Sequence, residues 1–113
     1  MAPVSIDVAH SPWSAPAGGA YALVVDVPRA GRLEARVDWT LAENDVDVYV
    51  SDGDCPSLEA LVVGRCRVIV AADGIASKPE RPSAVVAGGR VWVWIFNLGP
   101  GDEGGNVEVS LTP

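Results

Sequence analysis

The segment Asn44-Asp45-Val46-Asp47-Val48-Tyr49-Val50 alternates polar and apolar residues with a period of two. In an extended chain successive side chains point to opposite faces, so Val46, Val48 and Val50 share one face of a strand and Asp45, Asp47 and Tyr49 share the other. A helix would scatter both sets around its circumference. The turn residues Ser51-Asp52-Gly53-Asp54 close the strand. The pattern demands a sheet with a buried valine face, and it leaves a row of outward carboxylates to be explained.

Most of the remaining chain follows the same pattern. Tyr21, Leu23, Val25 and Val27 share a face, and Leu33, Ala35, Val37, Trp39 and Leu41 alternate with Arg32, Glu34, Arg36, Asp38 and Thr40. Cys66 to Ala71 and Ser83 to Ala87 read as short strands, Arg90 to Asn97 as the most apolar one, and Val107, Val109 and Leu111 as the last. Gly and Pro fall between these runs, valine dominates the apolar residues, and β-branched valine suits a pleated surface. Residues 73–82 read as a polar loop and residues 99–106 as a glycine-rich acidic loop. Cys55 to Val63 fits either a helical turn or a loop crossing the end of the sandwich. About eight short strands separated by turn signals predict an all-β, antiparallel two-sheet sandwich, jelly-roll-like. A chain of 113 residues is one domain: residues 1–19 are a lead-in holding a short edge strand, and residues 20–113 are the sandwich.

The formal net charge is −7, which argues against nucleic acid and anionic membranes, since both need clustered Lys and Arg. No run of apolar residues is long enough for a membrane span. No signal peptide is visible, because Asp7, His10 and Pro12 interrupt any apolar N-terminal run. Cys55 and Cys66 read as a disulfide pair, which implies an oxidising, extracellular or periplasmic setting; two buried thiols in a cytosolic protein is the alternative. One histidine and no nucleophile motif leave serine or cysteine catalysis without support, and the chain reads as no enzyme.

Three segments resemble the bacterial pre-peptidase C-terminal domain, a β-sandwich that follows the catalytic domain of secreted peptidases. They are the hairpin Val25-Asp26-Val27-Pro28-Arg29-Ala30-Gly31-Arg32-Leu33, the strand Asn44 to Val50, and Gly89 to Gly99 followed by Val107 to Leu111. The likeness spans roughly residues 20–112, with Trp92 and Trp94 where the family carries smaller or polar residues and no counterpart for Cys55 to Cys66. It implies a non-catalytic accessory module. Relatives in collagenases bind calcium and substrate.

Two candidate sites follow. Asp45, Asp47, Asp52 and Asp54 are candidate calcium ligands, with Asn44, Asp102 and Glu103 within reach if the loops converge; outward carboxylates that only solvate the sheet are the alternative. By analogy with the family pattern Val91, Val93 and Ile95 point inward, which places Trp92, Trp94 and Phe96 on the outer face as a platform for a carbohydrate, peptide or protein ligand. Coverage of that face by the N-terminal segment around Trp13, or an inverted assignment of faces, would remove the platform. A structural or assembly role, with the aromatic face as a subunit interface of a homodimer, is the competing function.

Overall fold

The structure is a computed structural model and describes residues 4–72 and 78–113. Among the described residues eight strands form, β1 (Ile6–Ala15), β2 (Ala20–Val27), β3 (Gly31–Val37), β4 (Asp45–Asp52), β5 (Val68–Ala72), β6 (Ser83–Val86), β7 (Gly89–Gly99) and β8 (Glu103–Thr112), and a helix, α1 (Leu58–Val62), lies between β4 and β5. Sheet A has the order β1-β8-β3-β6 and sheet B the order β2-β7-β4-β5, with every pairing antiparallel. This alternation between two sheets is the jelly roll that the strand pattern predicts.

The inward faces are the alternating ones. Val46, Val48 and Val50 from β4 meet Val91, Val93 and Ile95 from β7 within sheet B. Across the sandwich lie Leu33, Ala35 and Val37 from β3 and Val107, Val109 and Leu111 from β8. Trp13 joins this core rather than covering the outer aromatic face, and its Nε1 donates to the Asp38 carbonyl at 2.9 Å. The buried face of each strand is therefore the one its period-two pattern selects.

Two local expectations change. The lead-in is a ten-residue edge strand that runs through Pro12 to Ala15, pairing with β8. Pro12 reads as a turn residue, but an edge strand tolerates a residue with no N–H to donate. Glu103 to Asn106 belongs to β8 instead of a loop. The glycines there answer a close approach: a Cβ on Gly105 would overlap the Asp38 carbonyl oxygen and come within 3.0 Å of Trp39 Cα. Gly105→Ala is expected to push β8 away from residues 38–39 and lower stability by about 2 kcal/mol, read as a shift in denaturant midpoint at constant slope. Of the two readings of Cys55 to Val63 the helical turn is the one that forms, as α1, and it lies over the outer face of sheet B. The polar loop expected over residues 73–82 falls partly outside the described residues.

Candidate functional site

On β7 the residues that alternate with the core set are Trp92, Trp94, Phe96 and Leu98, and on β4 they are Asp47, Tyr49 and Ser51. The strand register sets Asp47 opposite Phe96, Tyr49 opposite Trp94 and Ser51 opposite Trp92. Directly opposed side chains on one face lie in contact range. Trp92 and Trp94 stack with ring centroids 5.5 Å apart, and Tyr49 meets Phe96 edge to face at the same separation. The aromatic row thus sits on the outer face of sheet B, as the family pattern implies.

It is not a bare platform. The chain from Cys55 to Cys66 folds over it as a strap, closed by a disulfide with a Cα–Cα distance of 5.1 Å. Ser57 caps α1, its Oγ accepting from the Ala60 N–H at 3.1 Å, and Gly64 with φ +80° ends the turn that follows. Five helical residues are too few to hold a helix on their own. What fixes them is the covalent closure together with Leu61, which packs with Cys55 and Trp94 in a second, smaller apolar cluster that also contacts Tyr49, Cys66, Trp92 and Phe96. Trp94 is 5% exposed, and its Nε1 donates to Ser51 Oγ at 2.9 Å.

The strap covers one end of the row and leaves the other open. Beside it lies a cleft of about 320 Å³ lined by Asp47, Tyr49, Leu61, Val62, Val68, Phe96 and Leu98. Val62 is 68% exposed and Leu98 55% exposed, so water bathes an apolar rim. Of the three expected ligand residues, Phe96 reaches this cleft, whereas Trp94 forms the floor beneath the strap and Trp92 packs half-buried against it.

The four expected calcium ligands do not gather. Asp45 and Asp52 mark opposite ends of β4, which at about 3.3 Å per residue separates them by roughly 23 Å. Asp52 Oδ1 accepts from the Asp54 N–H at 3.2 Å, a turn contact. Among the described residues no three His, Cys, Asp or Glu side chains form a group that could hold a metal ion. As placed, Asp45, Asp47, Asp52 and Asp54 do not make a calcium shell.

The distant loops nevertheless converge at the Asn44 end. Glu103, 6% exposed, accepts from the Thr40 N–H at 3.0 Å, the Leu41 N–H at 2.8 Å, Asn44 Nδ2 at 2.8 Å and its neighbour Gly104 N–H at 2.9 Å, and it also takes the Thr40 hydroxyl. Asn44 Oδ1 in turn accepts from the Gly101 N–H at 2.7 Å. Buried Asn97 completes the latch, donating to the Ala15 and Gly101 carbonyls at 3.0 and 2.8 Å. Burial pushes the Glu103 carboxyl up, but the hydrogen bonds from Thr40, Asn44, Gly104 and Leu41 outweigh it and hold its pKa at about 2. The approaching loop brings N–H and hydroxyl donors, and these satisfy the carboxylate.

A larger groove of about 690 Å³ runs over the outer face of sheet A. Its register opposes His10 to Glu108 and Glu108 to Arg36, and His10 Nδ1 lies 3.1 Å from Asp7 Oδ2. This is a solvated face of interleaved charges with no Phe, Tyr or Trp among its described lining residues.

No family model matches the chain, that of the pre-peptidase C-terminal domain included, and no curated protein matches it in sequence. Solved structures share its fold. The Yersinia pseudotuberculosis-derived mitogen aligns with a TM-score of 0.59 at 18% identity, covering 97% of this chain and 86% of the mitogen. The Aeromonas hydrophila periplasmic inhibitor of g-type lysozyme aligns at 0.57 and 13% identity, covering 98% and 86%. A carbohydrate-binding module from Cellvibrio mixtus lichenase 5A, solved with cellotriose, aligns at 0.53 and 9% identity over the whole of both chains. At these identities the likeness is one of fold: a β-sandwich.

Proposed function

We propose that the chain is a non-catalytic binding module of a secreted or periplasmic protein, and that it meets its ligand at the cleft beside the strap. The observation that carries this reading is the cleft itself, an aromatic floor with exposed Val62 and Leu98 at its rim. Contiguous apolar surface left in water beside ordered aromatic rings is the ordinary mark of a recognition site. The Cys55–Cys66 disulfide supports an oxidising compartment. The structural neighbours add a weaker line of support, since one is a carbohydrate-binding module and another a periplasmic protein inhibitor. An accessory place beside a catalytic domain, which the likeness to the pre-peptidase C-terminal module implies, fits the same reading.

The test is a paired array of oligosaccharides, cellotriose among them, and peptides, probed with the labelled disulfide-intact domain and with Val62→Asp and Leu98→Asp. Both positions are exposed, so each variant is expected to keep the wild-type melting temperature. Binding is expected to fall at least about tenfold in each. Spots that both variants retain would move the site off this cleft. The competing reading, a homodimer through the same face, predicts a dimer by light scattering that Leu98→Asp converts to monomer.

A further inference from the structure

We infer that Cys55–Cys66 is a thiol-exchange site that switches the cleft: a dithiol reductant that opens the bond removes one wall of the cleft, and a ligand seated in the cleft shields the bond. This is regulation of the proposed binding site and rests on that reading. Leu61 and Val62 line the cleft and belong to the strap, whereas Asp47, Tyr49, Val68, Phe96 and Leu98 stand on strands. The backbone hydrogen bonds of the strap close on itself: the N–H groups of Leu61, Val63, Gly64 and Arg65 donate to the carbonyls of Ser57, Glu59, Leu61 and Ala60. It buries Cys55, Ala60 and Leu61, while Leu58, Val62 and Val63 stay exposed. The position of this wall therefore depends on the covalent closure and a small apolar contact.

The two sulfurs are not equivalent. Cys55 is 2% exposed and packs with Leu61 and Trp94. Cys66 is half-buried between exposed Arg65 and Arg67, whose charges stabilise a thiolate there. The incoming thiolate of the reductant therefore attacks Cys66 Sγ. A new S–S bond forms at Cys66, and the electron pair of the old bond leaves on Cys55 Sγ. A thiolate is costly inside an apolar cluster, so the strap lifts and Cys55 takes a proton from water. The second thiol of the reductant then displaces Cys66 and departs as a cyclic disulfide, oxidised by the two electrons that the Cys55–Cys66 bond gains. Breaking the bond and moving the wall are one event, and linkage makes the dependence reciprocal.

The experiment repeats the oligosaccharide and peptide array, cellotriose included, with two opened forms of the chain. One is reduced with dithiothreitol and capped with iodoacetamide; the other carries Cys55→Ser with Cys66→Ser. Both are held below their melting transitions, with circular dichroism confirming the sandwich. Spots that Val62→Asp and Leu98→Asp lose are expected to fall at least about tenfold in both opened forms. Reduction of the intact chain by dithiothreitol is then timed by mass spectrometry, with the array compound of the strongest such spot at ten times its Kd. The rate is expected to fall about tenfold. Glutathione in place of dithiothreitol, quenched in acid, is expected on Cys66 in a peptic map. Cleft-dependent spots at full strength in both opened forms overturn the switch and leave the binding role intact. Loss in the capped form alone assigns the effect to the cap and overturns the switch as well. An unslowed reduction overturns the coupling, and glutathione on Cys55 overturns the order of attack. If no spot of the disulfide-intact chain depends on Val62 and Leu98, the site falls and the switch with it.

Discussion

Reduction of the Cys55–Cys66 disulfide is expected to detach the strap from sheet B before the sandwich itself opens. The bond closes a loop with a sequence separation of 11, and the chain-entropy model assigns such a closure about 3 kcal/mol. Residues 56–65 have little else to hold them: a helix of five residues, one Ser cap and the contact of Leu61 with Trp94. Released, they uncover Trp94 and leave Trp92 and Phe96 without a wall. The intact protein is therefore expected to emit at shorter wavelength than the reduced one, and the melting temperature to fall on the order of 10 °C on reduction. Cys55→Ser with Cys66→Ser is expected to reproduce both changes without reductant. The core strands pair independently of the strap, so far-ultraviolet circular dichroism below the transition is expected to stay that of a β-sandwich in either case. A reduced protein with unchanged fluorescence and melting temperature would show that Leu61 holds the strap without the bond.

Removal of the Glu103 carboxylate is the second large expected effect. Glu103→Ala leaves the Thr40, Leu41 and Gly104 amides and Asn44 Nδ2 without their acceptor where three chain segments meet. Loss of charge-assisted bonds at one nearly buried site is expected to cost about 3 kcal/mol. Glu103→Gln keeps one acceptor oxygen and is expected to recover part of that. The same group makes stability depend on pH. Its folded pKa of about 2 lies below the ordinary value of 4.5, so above about pH 5 the carboxylate is ionised in both states and its contribution is fully present. As pH falls from there toward 2, the unfolded chain takes up the proton first and the contribution is lost. Glu103→Ala is therefore expected to flatten the loss of stability between about pH 5 and pH 2. Urea titrations at a series of pH values in wild type and variant measure the difference directly; parallel curves would remove Glu103 as the cause.

The sandwich was legible because period-two alternation reports burial directly. Val46, Val48 and Val50, like Val91, Val93 and Ile95, face inward wherever the strand sits in its sheet. The Glu103–Asn106 segment was not legible, because glycines that permit close approach to Asp38 look like glycines that make turns. The site was half legible. Trp92, Trp94 and Phe96 do share the outer face of sheet B, but nothing local in the chain says that the Cys55–Cys66 segment lies over Trp94 and stops short of Phe96 and Leu98. That depends on which loop ends where, a property of topology. For the same reason Glu103 looked like a ligand waiting for a metal. Its partners lie some sixty residues away in Thr40, Leu41 and Asn44, and they are donors.

The central claim is an aromatic face covered at Trp94 and open at Leu98, and hydroxyl-radical footprinting read by mass spectrometry tests it most directly. In the disulfide-intact protein Leu98 and Val62 are expected to oxidise at rates close to those of the unfolded chain, while Trp94 is protected. After reduction Trp94 is expected to gain reactivity and Leu98 to keep its own. Trp94 reacting freely in the intact protein, or Leu98 protected in a protein shown to be monomeric, would contradict the account.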